Sequence, residues 1–173
     1  KSDAEIETMR HSAKVASQAH IQAMANTHVG VGEWQLEGVI EGLFKFARTS
    51  GTAYPCIIGS GENATILHYT VNDDVCNDGE IILIDAGCEY RGYASDITRS
   101  WPVNGKFSEA QAEIYNIVLD AQLAAIDACR VGNAYDAPHE AARRVLAQGL
   151  IDLGVIDQSL EDALSEDGDL KKW

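Results

Sequence analysis

Ile81-Ile82-Leu83-Ile84-Asp85-Ala86-Gly87-Cys88-Glu89-Tyr90-Arg91-Gly92-Tyr93-Ala94-Ser95-Asp96-Ile97-Thr98-Arg99 reads as two strands joined by a tight turn. Asp85 ends a run of four aliphatic residues, and Asp96 lies in a Tyr/Ile/Thr-rich segment. Both carboxylates therefore fall in an apolar, strand-like setting, where an uncompensated anion is costly and a cation removes the cost. A hairpin centred between Tyr90 and Arg91 sets Asp85 directly opposite Asp96. Directly opposed side chains have Cβ atoms about 4.5–5.5 Å apart on one face. Two carboxylates so placed repel unless cations lie between them, and two-metal hydrolytic sites hold their ions about 3.5–4 Å apart. The plainer reading makes Asp85 the start of an Asp-Ala-Gly turn and Asp96 a hydrogen-bonded strand residue. The turn favours neither, since Tyr90-Arg91 lacks an Asn-Gly or Asp-Gly signature; a four-residue loop over 89–92 keeps the same centre.

Outward from this stretch, the pattern is helical on both sides. Ser2-Asp3-Ala4-Glu5 forms a capping box and predicts a helix to Asn26, with Ile6, Met9, Ala13, Ala16, Ala19 or His20, Ala23 and Met24 on its buried face. A second helix is predicted over 33–48, burying Leu36, Val39, Ile40, Leu43 and Phe44. Strands are predicted over 54–60, 65–69, 80–85 and 92–101, separated by Gly, Asn and Asp. Ser108-Glu109-Ala110-Gln111 opens a third helix to about Cys129, a fourth covers 134–153, and a short one lies near 159–164. Helices flanking clustered strands predict an α+β fold, with helices packed on one face of a curved antiparallel sheet.

The 173 residues are enough for one domain with a real core. A net charge of −14 argues against nucleic acid and anionic membranes as partners. No apolar run approaches the roughly 20 residues that span a bilayer. The charged N-terminus has no signal-peptide core. Cys56, Cys76, Cys88 and Cys129 show no metal-type spacing, so a reduced, cytoplasmic setting is expected. Cys88 reads as a packed small residue. His11, His20 and His28 fall in or just after the first helix with no evident partner, and His139 fits an exposed first turn. Trp34, Trp101 and Tyr54 read as packing residues, and Glu62 and Asn63 as turn residues.

Two further segments, Ile58-Gly59-Ser60-Gly61-Glu62-Asn63-Ala64-Thr65-Ile66-Leu67-His68-Tyr69 and Ser95-Asp96-Ile97-Thr98-Arg99-Ser100-Trp101-Pro102, join Leu83-Ile84-Asp85-Ala86-Gly87 in an ordered set. Together they resemble the Xaa-Pro aminopeptidases (aminopeptidase P) and prolidases, metallopeptidases of the pita-bread fold. The resemblance runs from about residue 1 to at least residue 154. It implies hydrolysis of the bond between an N-terminal residue and proline in a peptide substrate, with two divalent metal ions, commonly manganese. Asp85 matches the family's chelating aspartate and Asp96 its bridging aspartate. His68 matches the histidine that faces the substrate; without its surrounding motif, it would read as a packed strand-end residue.

The same resemblance implies what to expect elsewhere. The family completes its site with a His and two Glu from the second half of the pita-bread fold, and none of these matches here. Residues 1–173 are therefore expected to be the N-terminal half of a catalytic domain, inactive alone, with the second half and a separate N-terminal domain outside it. Such a half should expose an apolar face for self-association or for the missing half-domain. Aminopeptidase P and prolidase are not separated by these residues. A non-catalytic pita-bread binding module and a metal-free creatinase-like hydrolase are the competing readings, and an intact aspartate pair argues against both.

Overall fold

Ser2 caps the first helix as its sequence dictates: its hydroxyl accepts the Glu5 amide at 3.3 Å, and Glu5 Oε2 accepts the Ser2 amide at 2.6 Å. The computed structural model describes residues 1–172. They fall into two compact units, one spanning Lys1–Phe107 and one beginning at Ser108. In the first unit the elements run α1 (Asp3–Asn26), α2 (Glu33–Phe46), β1 (Gly51–Thr52), β2 (Ile57–Ser60), β3 (Ile81–Ala86), β4 (Cys88–Tyr90), β5 (Tyr93–Ala94) and β6 (Ile97–Pro102). The second contains α3 (Glu109–Ala128), α4 (Ala137–Asp152) and α5 (Leu160–Leu164). Helices and antiparallel sheets together make the expected α+β fold.

The strands form two three-stranded antiparallel sheets, β2-β3-β6 and β1-β4-β5, where one continuous sheet was expected. The chain crosses from one to the other between β3 and β4, and back between β5 and β6. One face of β2-β3-β6 carries Ile58, Ile82, Ile84 and Trp101 into a core with Leu36, Ile40 and Phe44 of α2 and Ala16, Ala19 and Ala23 of α1. Burying each of the larger aliphatic or aromatic chains contributes about 1.5–3 kcal/mol.

The buried face of α1 matches the predicted one at Ala16, Ala19, His20 and Ala23 and departs from it elsewhere. Ile6, Met9 and Met24 are 37–41% exposed, and the buried stripe is Ser12, Ala16, Ala19, His20 and Ala23. Small residues let the helix axis approach the hairpin β4–β5. There Ser12 Oγ donates to the Cys88 carbonyl at 2.9 Å, and Cys88 is fully buried, as a packed residue should be. His20 Nδ1 donates to the Ala16 carbonyl at 2.9 Å.

Tyr93 ties β5 to the start of α1, its hydroxyl donating to Glu5 Oε1 at 2.6 Å. That bond, followed by those from Ser2, holds the Glu5 carboxyl down at about 2, against an ordinary 4.5. A depressed carboxyl stabilises the fold above its unfolded pKa, and the contribution is lost as pH falls through the folded value. Tyr93→Phe is therefore expected to lower the melting temperature at pH 7. The gap from the parent should close between pH 4.5 and 2; a gap that persists at pH 2 would assign the loss to packing instead.

In the second unit, Ser108 and Gln111 form the predicted capping box, and Ser159 caps α5 by accepting the Asp162 amide. Its core joins Ala147, Ile156 and Ala163 to Leu150, Ile151, Leu160 and Leu164. Along α3, Ile114, Val118, Leu123 and Ile126 remain 43–61% exposed. No helix among the described residues is long and apolar enough to cross a membrane.

Candidate metal centre

Strand β3 alternates strictly. Ile82, Ile84 and Ala86 point into the core, whereas Leu83 and Asp85 are half-buried on the sheet's opposite face. The alternation follows from the two-residue period of a strand, so the aliphatic run delivers Asp85 to the face away from α1 and α2.

The pairing of Asp85 is not the predicted one. Asp85 lies opposite Thr98 in β6 and opposite Ile57 in β2. The hairpin centre falls one residue later than expected, because Tyr90 pairs with Tyr93 across a two-residue turn. Arg91 (φ 52°) and Gly92 (φ 82°) both take the left-handed conformation that a type I′ turn requires. Arginine is an unusual occupant of the first position. Its guanidinium sits 5.2 Å from the Tyr90 ring centroid, and the Gly92 amide donates to Glu89 Oε1 at 2.8 Å.

Asp96 sits in the break between β5 and β6 and is exposed, so its setting is wetter than the sequence suggested. The two aspartates nevertheless meet, through a residue that the sequence reading assigned to packing. The Tyr54 hydroxyl lies 2.6 Å from Asp85 Oδ1 and 2.9 Å from Asp96 Oδ1. Backbone geometry puts it there: the Ala53 amide donates to the Gly87 carbonyl at 2.8 Å, fixing the link between β1 and β2 beside the strand break. Burial first, and then the two carboxylates, push the Tyr54 hydroxyl well above the ordinary tyrosine range, so it stays a donor. One hydroxyl hydrogen serves two carboxylates, which leaves the pair short of positive charge. No signal in the local sequence marks Tyr54, because its partners lie 31 and 42 residues away.

Two carboxylates are hard oxygen donors suited to divalent cations such as Mg²⁺ or Mn²⁺. They are an incomplete set: among the described residues no group of three or more His, Cys, Asp or Glu side chains could hold a metal ion.

His68 lies in an exposed turn, not at the end of the strand predicted over 65–69. That segment begins as a 3₁₀ turn, Gly61–Thr65, and His68 itself is left-handed at φ 55°. Non-glycine residues held there cluster at functional sites. The turn folds back over Gly59, where a Cβ would come within 2.8 Å of the Asn63 carbonyl. Gly59 pairs with Leu83, two residues from Asp85 on the same strand face, so the turn at Asn63-Ala64, which leads on to His68, lies over the sheet face that bears Asp85. The aspartates' hydrogen bonds run to Tyr54, not to His68.

Other side chains take the plain roles expected of them. His11 stacks on Tyr90 with centroids 4.2 Å apart, and His139 is exposed in the first turn of α4. Trp101 packs at 9% exposure, with Nε1 donating to Thr27 Oγ1 at 3.0 Å. Trp34 departs from its packing role, being 48% exposed. All four cysteines are free thiols, and burial pushes Cys56 up to about 12.

The profile of metallopeptidase family M24 matches residues 7–163. The Xaa-Pro aminopeptidase of Escherichia coli (strain K12) is 40% identical over 166 residues, which cover 96% of this chain and 38% of that protein. The solved structure of Pseudomonas aeruginosa aminopeptidase PepP superimposes with a TM-score of 0.92 at 44% identity, covering 93% of this chain and 36% of that one. Zn-substituted Escherichia coli aminopeptidase P in complex with product gives 0.92 at 41% identity, over 95% and 37%. The chain thus has the fold of the matching part of aminopeptidase P, the pita-bread fold, and spans about 38% of the length of the first of these relatives. With 157 consecutive residues matched by the family profile, the chain belongs to metallopeptidase family M24.

Proposed function

We propose that this chain supplies the first half of the catalytic domain of an Xaa-Pro aminopeptidase, which hydrolyses the bond between an N-terminal residue and proline. The observation that carries the reading is the convergence of Asp85 and Asp96 on one hydroxyl, within a segment 40% identical to such an enzyme. Asp85 would chelate one ion and Asp96 would bridge two, with manganese as the metal. Bound divalent ions supply Lewis-acid polarisation of the scissile carbonyl and a water acidified towards neutral pH. Tyr54 orients the carboxylates, and His68 holds the peptide over the Asp85 face. Prolidase, acting on Xaa-Pro dipeptides, uses the same residues and is separated by substrate length alone. A binding module would need neither aspartate. We place the protein in the cytoplasm, and assign the exposed stripe of α3 to self-association or to the rest of the catalytic domain.

Two aspartates should hold metal weakly, because affinity comes from the full ligand set. The purified 173-residue chain with Mn²⁺ is therefore expected to show no turnover of an Xaa-Pro peptide. Exchanging the 166 matched residues of the Escherichia coli enzyme for those of this chain should restore turnover. Asp85→Ala or Asp96→Asn in that chimera should abolish it. Turnover by the isolated chain, or full activity in either variant, would sink the assignment.

A further inference from the structure

Glu33 is fully buried at the first turn of α2, and nothing in the aspartate site uses it. Its carboxylate accepts four hydrogen bonds. Oε1 takes the Ser60 amide at 2.8 Å and Asn63 Nδ2 at 3.2 Å. Oε2 takes the Tyr69 hydroxyl at 2.8 Å and the Asp74 amide at 3.1 Å. A carboxylate offers about four lone-pair sites, so all are filled by fixed donors. That leaves none for a metal ion or for a proton in transit, and it rules Glu33 out as ligand or base. Every donor instead belongs to one segment, 60–74, whose two ends are drawn onto a single side chain from another element. The Glu33 amide adds a fifth link by donating to the Asp74 carbonyl at 2.9 Å.

Asn72 closes the same segment from its other side. It is 1% exposed and left-handed at φ 50°; its Oδ1 accepts the Ile58 amide and its Nδ2 donates to the Cys56 carbonyl, both at 2.9 Å. The side-chain amide thereby stands in for a neighbouring strand along the free edge of β2. Between the buried anchors Ser60 and Tyr69 lies the exposed run 65–68, which includes Ile66, Leu67 and His68. Buried, fully satisfied polar networks of this kind fix one conformation.

We infer that Glu33 is the positioning residue for His68. It sets the left-handed turn over the Asp85 face by clamping both ends of the loop, and it takes no part in the chemistry. The inference rests on His68 being the peptide-facing histidine, and its test separates the two claims.

Glu33→Gln keeps the volume but puts an NH₂ where one oxygen stood. The Tyr69 hydroxyl can turn to accept from it; the Asp74 amide cannot, and loses its partner. In the 173-residue chain, exchange of the Asp74 amide should accelerate by about tenfold. The His68 imidazole resonances should move towards averaged values, and residues 61–73 should lose backbone order by ¹⁵N relaxation. Exchange in α1 and α2 should stay as in the parent. Tyr69→Phe, which removes one bond of the clamp, should give an intermediate His68 shift and guards against a Glu33 variant that fails to fold. Unchanged His68 resonances in both variants would overturn the positioning role, as would acceleration spread equally over the helices. Titrating the chimera described above with an Xaa-Pro dipeptide tests the other claim. If the loop loosens on substitution but peptide never shifts His68, the clamp stands and the substrate role of His68 falls.

Discussion

Gly87→Ala is expected to leave little folded protein at 37 °C. A Cβ at that position runs into the Ser95 carbonyl, and the Asp96 amide lies 3.2 Å away. These are backbone atoms, and they cannot swing aside as the far end of a side chain can. Gly87 sits where the chain leaves β3 for β4, and Ser95-Asp96 is where it returns from β5 to β6. The two breaks nest, with the Ser95 amide donating to the Cys88 carbonyl at 2.9 Å and the Cys88 amide to Ser95 Oγ at 3.0 Å. Forcing them apart would shear the hairpin from the sheet and cost about 3 kcal/mol or more, a large share of the 5–15 kcal/mol typical of a domain. The same shear would part Asp85 from Asp96. Urea unfolding of Gly87→Ala and of Gly79→Ala makes the comparison, since a Cβ at Gly79 meets nothing within 4 Å and that position carries only its backbone strain at φ 81°. A Gly87 variant as stable as the Gly79 variant would show that the nested breaks do not need the close approach.

What could be read in advance follows from the range of each interaction. The capping boxes at Ser2 and Ser108 involve residues three apart, and both formed where the sequence places them. The aliphatic run of β3 fixed its own alternation and so the face of Asp85. The segment 65–69 misled because its apolar residues have a strand-like look, while Glu33, 30 and 36 residues before Asn63 and Tyr69, holds it in a turn that follows the 3₁₀ turn Gly61–Thr65. The hairpin register slipped by one residue because Arg91 takes a conformation that its side chain does not favour. The predicted face of α1 held at Ala16, Ala19, His20 and Ala23 and failed at Ile6, Met9 and Met24, because close approach to β4 and β5 selects small residues over more hydrophobic ones. Tyr54 was invisible for the same kind of reason: its role exists only once the β1–β2 link, the end of β3 and the break between β5 and β6 come together. Local chemistry was legible; what tertiary register creates was not.

Asp96→Asn should stabilise the metal-free chain while removing its response to metal. In the absence of cations, two carboxylates share one hydroxyl hydrogen, so one of them faces the phenol oxygen and a like charge with no donor of its own. An asparagine NH₂ can donate to the Tyr54 oxygen while that hydroxyl donates to Asp85, satisfying all three groups. The gain should be about 0.5 kcal/mol, small because Asp96 is exposed and its charge is screened. Tyr54→Phe should act in the opposite direction, stripping the pair of its shared donor, and lower the melting temperature in EDTA. Metal reverses the order. A cation binding only the folded parent stabilises it by about 1.4 kcal/mol at ten times its dissociation constant. Loss of an outer-shell partner costs about tenfold to a hundredfold in affinity, and loss of a ligand charge should exceed that. Melting curves in EDTA and in millimolar Mn²⁺ should therefore cross, with Asp96→Asn the more stable without metal and the parent the more stable with it. A structural aspartate would give parallel curves, with the asparagine variant below the parent throughout, and that result would remove Asp96 from the metal centre.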